Sequence, residues 1–274
     1  MELLGTLKGV IESLGYGRDV DAFVIVFGLA LARISSATSL SPFLGGKAVS
    51  GTAKIGLAIL LTLLLMPGLR AGAPEGAISP LLFLALVLKE TMIGLTIGIL
   101  SQLIFNGVQM AGALVDTARG MDQPGLFAPQ LGSNASTVAQ LKLQMALVVF
   151  LAVDGHLIFI RSLALSFERI PLRGFAHFEN LGGADRAVAL SAQIFSVALQ
   201  LAAPVMAALF LVDICFAAIA KVAPQMNVNM ESQPVKSMVG LAVLFLAIGI
   251  IASRFQTVLT NFLWDVFTFV AGLA

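Results

Sequence analysis

Apolar runs too long for a water-soluble domain constrain this chain more than anything else in it. "KIGLAILLTLLLMPGL" (54–69) is almost purely aliphatic after its first residue and closes at Pro67-Gly68. "DAFVIVFGLALARISSATSL" (21–40) precedes it, and "PLLFLALVLKETMIGLTIGILSQLIFNG" (80–107) follows, continuing without a breaker to Gly120. Helical pattern resumes near Thr137 and runs through Ile170, and two more long runs, 187–222 and 236–271, complete the chain. A helix crosses a hydrocarbon core with about 20 apolar residues. In such a medium every backbone N–H and C=O must find its partner within the segment, so these runs are helices and not open strands. The expectation is an all-α chain of long, kinked hydrophobic helices and helical hairpins, associated with a membrane.

Composition removes the competing classes. The chain is 58% hydrophobic and 11% charged, against about 25% charged in ordinary soluble domains. A net charge of +1 gives no clustered basic face, which excludes nucleic acid as a partner. Cys215 stands alone, so cysteines build neither a disulfide framework nor a zinc site; it reads as a small buried hydrophobe. Neither histidine has ligands at metal spacing, and no GxxxxGK loop occurs. No cofactor, metal or catalytic constellation is expected, and the chain reads as a non-enzyme. "Asn-Ala-Ser" (134–136) is a chance-level glycosylation match. The N-terminal "MELLGTLKGVIESLGYGRDVDAF" interleaves acidic residues and reads as a surface-lying amphipathic helix rather than a cleavable signal.

A plain multi-span topology fits poorly. Several runs exceed about 28 residues, enough to tilt, kink or project beyond a bilayer of about 30 Å. Gly94, Gly98, Gly107 and Gly112 punctuate the third run, where glycine lets helices bend or approach closely. Loop charges are balanced: Lys47 alone, Arg70 against Glu75, Arg173 and Arg186 against Glu179 and Asp185. They assign no orientation.

Ionisable residues inside the runs are costly, by at least about 2.5 to 3.5 kcal/mol at mid-membrane, and therefore face protein or water. Lys89 and Glu90 sit mid-run and diverge by about 100° as helical neighbours, so they are expected to pair with other segments or subunits rather than share one partner. Asp116 and Arg119 are three apart on one helical face. Asp154 and His156 flank Gly155 at a natural kink. Asp213 lies in "LFLVDICFAAIAK", with Lys221 two turns away. Glue between helices or subunits is the favoured reading over an ion pathway.

One passage breaks the pattern: "RGMDQPGLFAPQLGSNAST" (119–137), with two prolines and three glycines. Loops of about 16 residues without structure of their own are uncommon, and tend to be functional or disordered.

Five segments, in this order, carry a family resemblance: "ARISSATSLSPFLGGKAVSGTAKIGLAILL", "LKETMIGLTIGIL", "AGALVDTARG", "GHLIFIRSLALSFERIPL" and "APQMNVNMESQPVKSMVGL". From about residue 20 to 270 the chain resembles the FliR/SctT family, the R- or T-type membrane subunit of the type III protein export gate of flagella and injectisomes. The resemblance implies an N-terminal helical part (1–180) and a C-terminal helical hairpin (181–274) turning at Pro224, Gln225 and Asn227. It implies a helical hetero-oligomer with P-type and Q-type gate subunits and the B/U-type switch protein, in the bacterial inner membrane and partly above the bilayer plane. Exported unfolded proteins would pass through it. Lys89, Glu90 and Asp213 would then make inter-subunit polar contacts.

The resemblance also implies that the odd passage plugs the pore. Asp116, Arg119 and Gly120 would form its base, and Met121, Gln123, Pro124, Gly125, Leu126, Phe127, Ala128 and Pro129 the plug, with Leu126 and Phe127 as an apolar seal. Dewetting at an apolar constriction is a recognised way to gate a pore. "Asp-x-x-Arg-Gly" and "Pro-Val-Lys-Ser" lean toward injectisome members, while "Gly-His" (155–156) and "Ser-Phe" (166–167) sit comfortably in flagellar ones, and Asn229 replaces a usual aromatic. The balance leans slightly to the injectisome. The alternative is a small-solute or ion transporter using the intramembrane charges, although no internal repeat of the kind such folds carry is visible.

Overall fold

A computed structural model of the chain describes Gly9 and residues 20–44, 46, 49–69, 79–120, 137–173, 182–225 and 227–271. Among these residues there are seven helices and no strand: α1 (Val20–Leu40), α2 (Gly51–Leu69), α3 (Pro80–Ala118), α4 (Thr137–Ala152), α5 (Gly155–Arg169), α6 (Gly182–Val222) and α7 (Val228–Ala271). The all-α expectation holds. Five of these helices are long and apolar enough to cross a membrane, and α4 with α5 would make a sixth if the broken pair is one span.

Local chemistry sets the boundaries. Ser50 starts α2 by accepting the Ala53 amide on its hydroxyl at 3.3 Å. Ser79 does the same for Leu82, with Pro80 as the first residue of α3, where its missing N–H costs nothing. Gly120 ends α3 at φ 75°, a left-handed position that a side chain would strain. Asp154 holds φ 57° and interrupts the run between α4 and α5. Aspartate tolerates that conformation better than most residues, and the break falls where the sequence places a kink.

The hairpin turn is shorter than its sequence suggests. "APQMNVNMESQP" reads as the joint, yet α7 begins at Val228 and carries Pro234 inside it. That proline costs one ladder bond close to the helix start. Pro67 and Pro204 are likewise inside α2 and α6.

The chain forms two compact units, neither continuous in sequence. Residues 1–102, 156–187 and 263–274 make the first; 103–155 and 188–262 make the second. The linear boundary at about residue 180 therefore falls inside the first unit. Val26, Leu29, Ile34, Ile97 and Leu163 are core residues of the first unit. There Gly94 faces the Arg33 carbonyl and the Ser36 hydroxyl so closely that no Cβ fits, and Gly98 meets Ala37 and Leu40. In the second unit Phe105 and Phe150 pack edge to face at 5.3 Å, over a core that includes Val108, Ala111, Val205 and Leu209. Gly112 lies against the Ala139 backbone and Gly107 against Ile194. These four glycines are close-approach sites, as the sequence implied.

The outer faces of α6 and α7 are apolar. Phe195, Phe210, Leu211, Phe245 and Leu246 are each more than 60% exposed, a surface suited to lipid or partner subunits and not to water. Cys215 is exposed too, correcting the expectation that it is buried; it lies on the strongly exposed stretch of α6.

Candidate functional site

The proposed plug residues, Met121, Gln123, Pro124, Gly125, Leu126, Phe127, Ala128 and Pro129, lie outside the described residues. Their base does not. In the second unit Asp116, on the last turn of α3, is 2% exposed and Arg119 4% exposed. One carboxylate oxygen of Asp116 pairs with Arg119 Nη1 at 3.0 Å. The other accepts the Val138 amide at 2.9 Å. Val138 is the second residue of α4, whose first amides have no partner within the helix, and a negative charge there also complements the helix dipole. A single carboxylate thus holds both the exit from α3 and the entry to α4.

Arg119 reaches further. Its Nη2 donates to the Ser237 carbonyl on α7 at 3.3 Å. Gly240 lies under the arginine stem, where a Cβ would come within 2.7 Å of Cδ, and the Gln233 side chain lies against Gly120. Arg119 Nε is buried with no hydrogen-bond partner among the described residues, and an unfilled buried donor costs about 1–3 kcal/mol. Beside them Lys142, 1% exposed, donates to the carbonyls of Leu201 at 3.3 Å and Ala111 at 3.5 Å. Both bonds are long, and no carboxylate lies within ion-pair distance among the described residues.

The first unit holds a denser cluster. Arg33 is completely buried, as is Glu90. Its Nε donates to Glu90 Oε2 at 2.5 Å, and Nη1 to the carbonyl and hydroxyl of Ser166 at 2.7 and 3.1 Å. Nη2 donates to the Ile170 carbonyl at 2.9 Å. The guanidinium also stacks 4.1 Å above the Phe167 ring, a favourable geometry for a cation on an aromatic face. Lys89 Nζ lies 2.7 Å from Glu90 Oε1 and donates to the carbonyls of Pro171 and Leu172, each at 3.0 Å. Two cations face one carboxylate, and the carbonyls at the C-terminal end of α5, the negative end of its dipole, supply the balance.

Lys89 and Glu90 each reach another segment, as expected: Glu90 meets Arg33, and Lys89 the carbonyls beyond α5; the sequence reading left out that they also meet each other. The 100° divergence describes where their Cβ atoms point. A lysine stem of four carbons bends back along the helix surface, so the two heads meet. Glu90 is engaged by Arg33 and Lys89 of its own chain, so these pairs exist without any second subunit.

At the hairpin, Asp213 pairs with Lys236 on the facing helix, not with Lys221. Asp213 keeps 49% of its side chain exposed. Pro224, Gln225 and Asn227 form the turn and are all exposed. The Asn227 carbonyl accepts the Met230 and Glu231 amides that start α7. His156 Nδ1 is buried without a hydrogen-bond partner among the described residues.

Sequence reasoning missed Arg33 and Lys142. The signal was present in both, a lone cation in an apolar run. Ser237 could not be found that way, because it takes part through its backbone carbonyl, which every residue type carries. Among the described residues no group of three or more His, Cys, Asp or Glu gathers at metal-binding distance. The charges are assembled in pairs and capped by carbonyls, an arrangement that joins helices.

Residues 24–262 match the family model described as bacterial export proteins, family 1. The chain is 28% identical over 233 residues to the flagellar biosynthetic protein FliR of Bacillus subtilis, covering 84% of this chain and 87% of that protein. It is 29% identical over 243 residues to FliR of Pectobacterium carotovorum, covering 85% and 88%. It is 27% identical over 215 residues to the Yop proteins translocation protein T of Yersinia pestis, covering 78% and 82%. With a match that takes in all but the two ends of the chain, this protein belongs to the family of bacterial export proteins, family 1.

Proposed function

We propose that this chain is a non-enzymatic core subunit of the type III protein export apparatus in the bacterial inner membrane. It forms part of the export gate with P-type and Q-type subunits and the B/U-type switch protein, through which unfolded proteins leave. The observation that carries this reading is the match from residue 24 to 262, shared with both FliR and Yop translocation proteins. The apolar outer faces of α6 and α7 support it, since they need a lipid or subunit partner. So does the pairing of Glu90, Asp116 and Asp213 within the chain, which argues for helix glue over a transport path for small solutes.

Within that reading, Met121 to Ser136 plugs the pore, with Leu126 and Phe127 at the sealing tip and Asp116, Arg119 and Gly120 at the base. A base built on one shared carboxylate supports it: the loop leaves and returns at the same point. Removing residues 123–131 should make the assembled complex leak ions, measured as loss of membrane potential in cells or conductance in vesicles. Unchanged conductance in an assembled complex rules out the plug. The subunit reading is checked by copurification: the chain alone should be unstable in detergent, and a monodisperse lone monomer would count against it. The injectisome branch, favoured by "Asp-x-x-Arg-Gly" and "Pro-Val-Lys-Ser", is the finer proposal. Identities of 27–29% do not separate the branches. Loss of effector secretion on gene deletion supports the injectisome, and loss of motility overturns it.

A further inference from the structure

We infer that Arg119 is a positioning residue that couples the first turns of α7 to the end of α3 and the start of α4, with Gly240 as its seat. Three observations meet at this side chain. Arg119 Nη1 holds Asp116, and Asp116 holds the Val138 amide. Arg119 Nη2 holds the Ser237 carbonyl, 118 residues further along the chain. The stem crosses Gly240 at a distance that admits no Cβ. Gln233, one turn before Ser237, lies against Gly120 where the chain leaves α3. So α7 contacts both residues that begin the loop, and Asp116 relays the same contact to the residue where α4 begins.

The clasp is incompletely satisfied. Arg119 Nε is buried with no acceptor among the described residues, and the bond to Ser237 is long at 3.3 Å. A joint of this kind holds a position yet gives way at lower cost than a fully bonded one. Its seat on α7 lies between six and thirteen residues beyond Asn227 of the exposed hairpin turn, so a displacement of that turn reaches the loop base through one arginine. The functional meaning of this coupling rests on the plug reading; the coupling itself does not.

The test is hydrogen exchange on the assembled export complex carrying Gly240→Val, which pushes Arg119 aside without altering any charge. The Val138 amide, held by Asp116 at a helix start, should exchange about tenfold faster, as loss of one charged hydrogen bond implies. Gly249→Val on the same helix is the control, because nothing lies within 4 Å of a Cβ there. Should Gly240→Val fail to assemble, Arg119→Lys keeps charge and stem but loses the fork, and should give the same acceleration. Unchanged exchange at Val138 in the assembled variants overturns the coupling. Conductance of the complex lacking 123–131 is read in parallel. Faster exchange with no leak from that deletion leaves the clasp standing and removes the plug reading. A leak with unchanged exchange does the reverse.

Discussion

Two buried charge groups in this molecule solve the same problem to different degrees. In the first unit Arg33 places all three of its nitrogens on acceptors and its face on Phe167. In the second unit, among the described residues, Arg119 Nε has no acceptor and Lys142 makes long bonds to two carbonyls. Both groups sit in helices apolar enough for a membrane, where an unmade bond is expensive. The first is organised as permanent glue, with α1, α3 and the end of α5 joined at one guanidinium. The second joins the end of α3 to the start of α4 and to α7. What the difference teaches is that equal burial does not bring equal hydrogen bonding of the donors.

The comparison breaks most sharply at Glu90. Glu90→Ala removes the carboxylate that pairs with both Arg33 and Lys89, and removing one partner of a buried pair costs about 3–5 kcal/mol. The expected outcome is loss of assembled complex and a lower unfolding temperature in detergent. The double variant Arg33→Met with Glu90→Met should recover part of that loss, because it removes both buried charges together. If Glu90→Ala is tolerated, the first unit is not the tightly bonded one.

Lys142→Met sharpens the contrast from the other side. It removes a buried cation with poor hydrogen bonds and keeps the side-chain volume, so stability should hold within about 1.5 kcal/mol. A loss as large as that of Glu90→Ala would mean that Lys142 is as firmly engaged as Arg33. The smallest effect is expected at the hairpin: Lys236→Ala breaks a pair with Asp213 half-exposed, and exposed pairs contribute about 0–1 kcal/mol. Thermal unfolding of the three variants in one detergent orders them directly.

Much of the fold was legible beforehand for a plain reason. Apolar run length reports helices directly, so α1, α2, α3 and the hairpin fall where the sequence places them. Gly94, Gly98 and Gly112 announced close helix contacts because nothing else in those runs needs a missing Cβ. The break at Asp154 was legible from polar residues in an apolar run. The start of α7 was not: Pro234 reads as a breaker, yet the helix begins six residues before it. The sites were less legible than the fold. Asp116 and Arg119 could be paired because they are three apart on one helix. Arg33 and Glu90 are 57 residues apart, and no local pattern links them.

The chain's own composition and periodicity determined that its described residues are all-helical and apolar outside as well as inside. Those properties follow from hydration of side chains and from backbone bonds that close within four residues. Tertiary structure alone decided which charges meet. Lys89 turns back onto Glu90, Arg33 caps the end of α5, and Arg119 takes a carbonyl from α7, because each choice depends on helices brought together by packing. Backbone carbonyls carry no sequence signal, and they accept most of the hydrogen bonds described for these clusters.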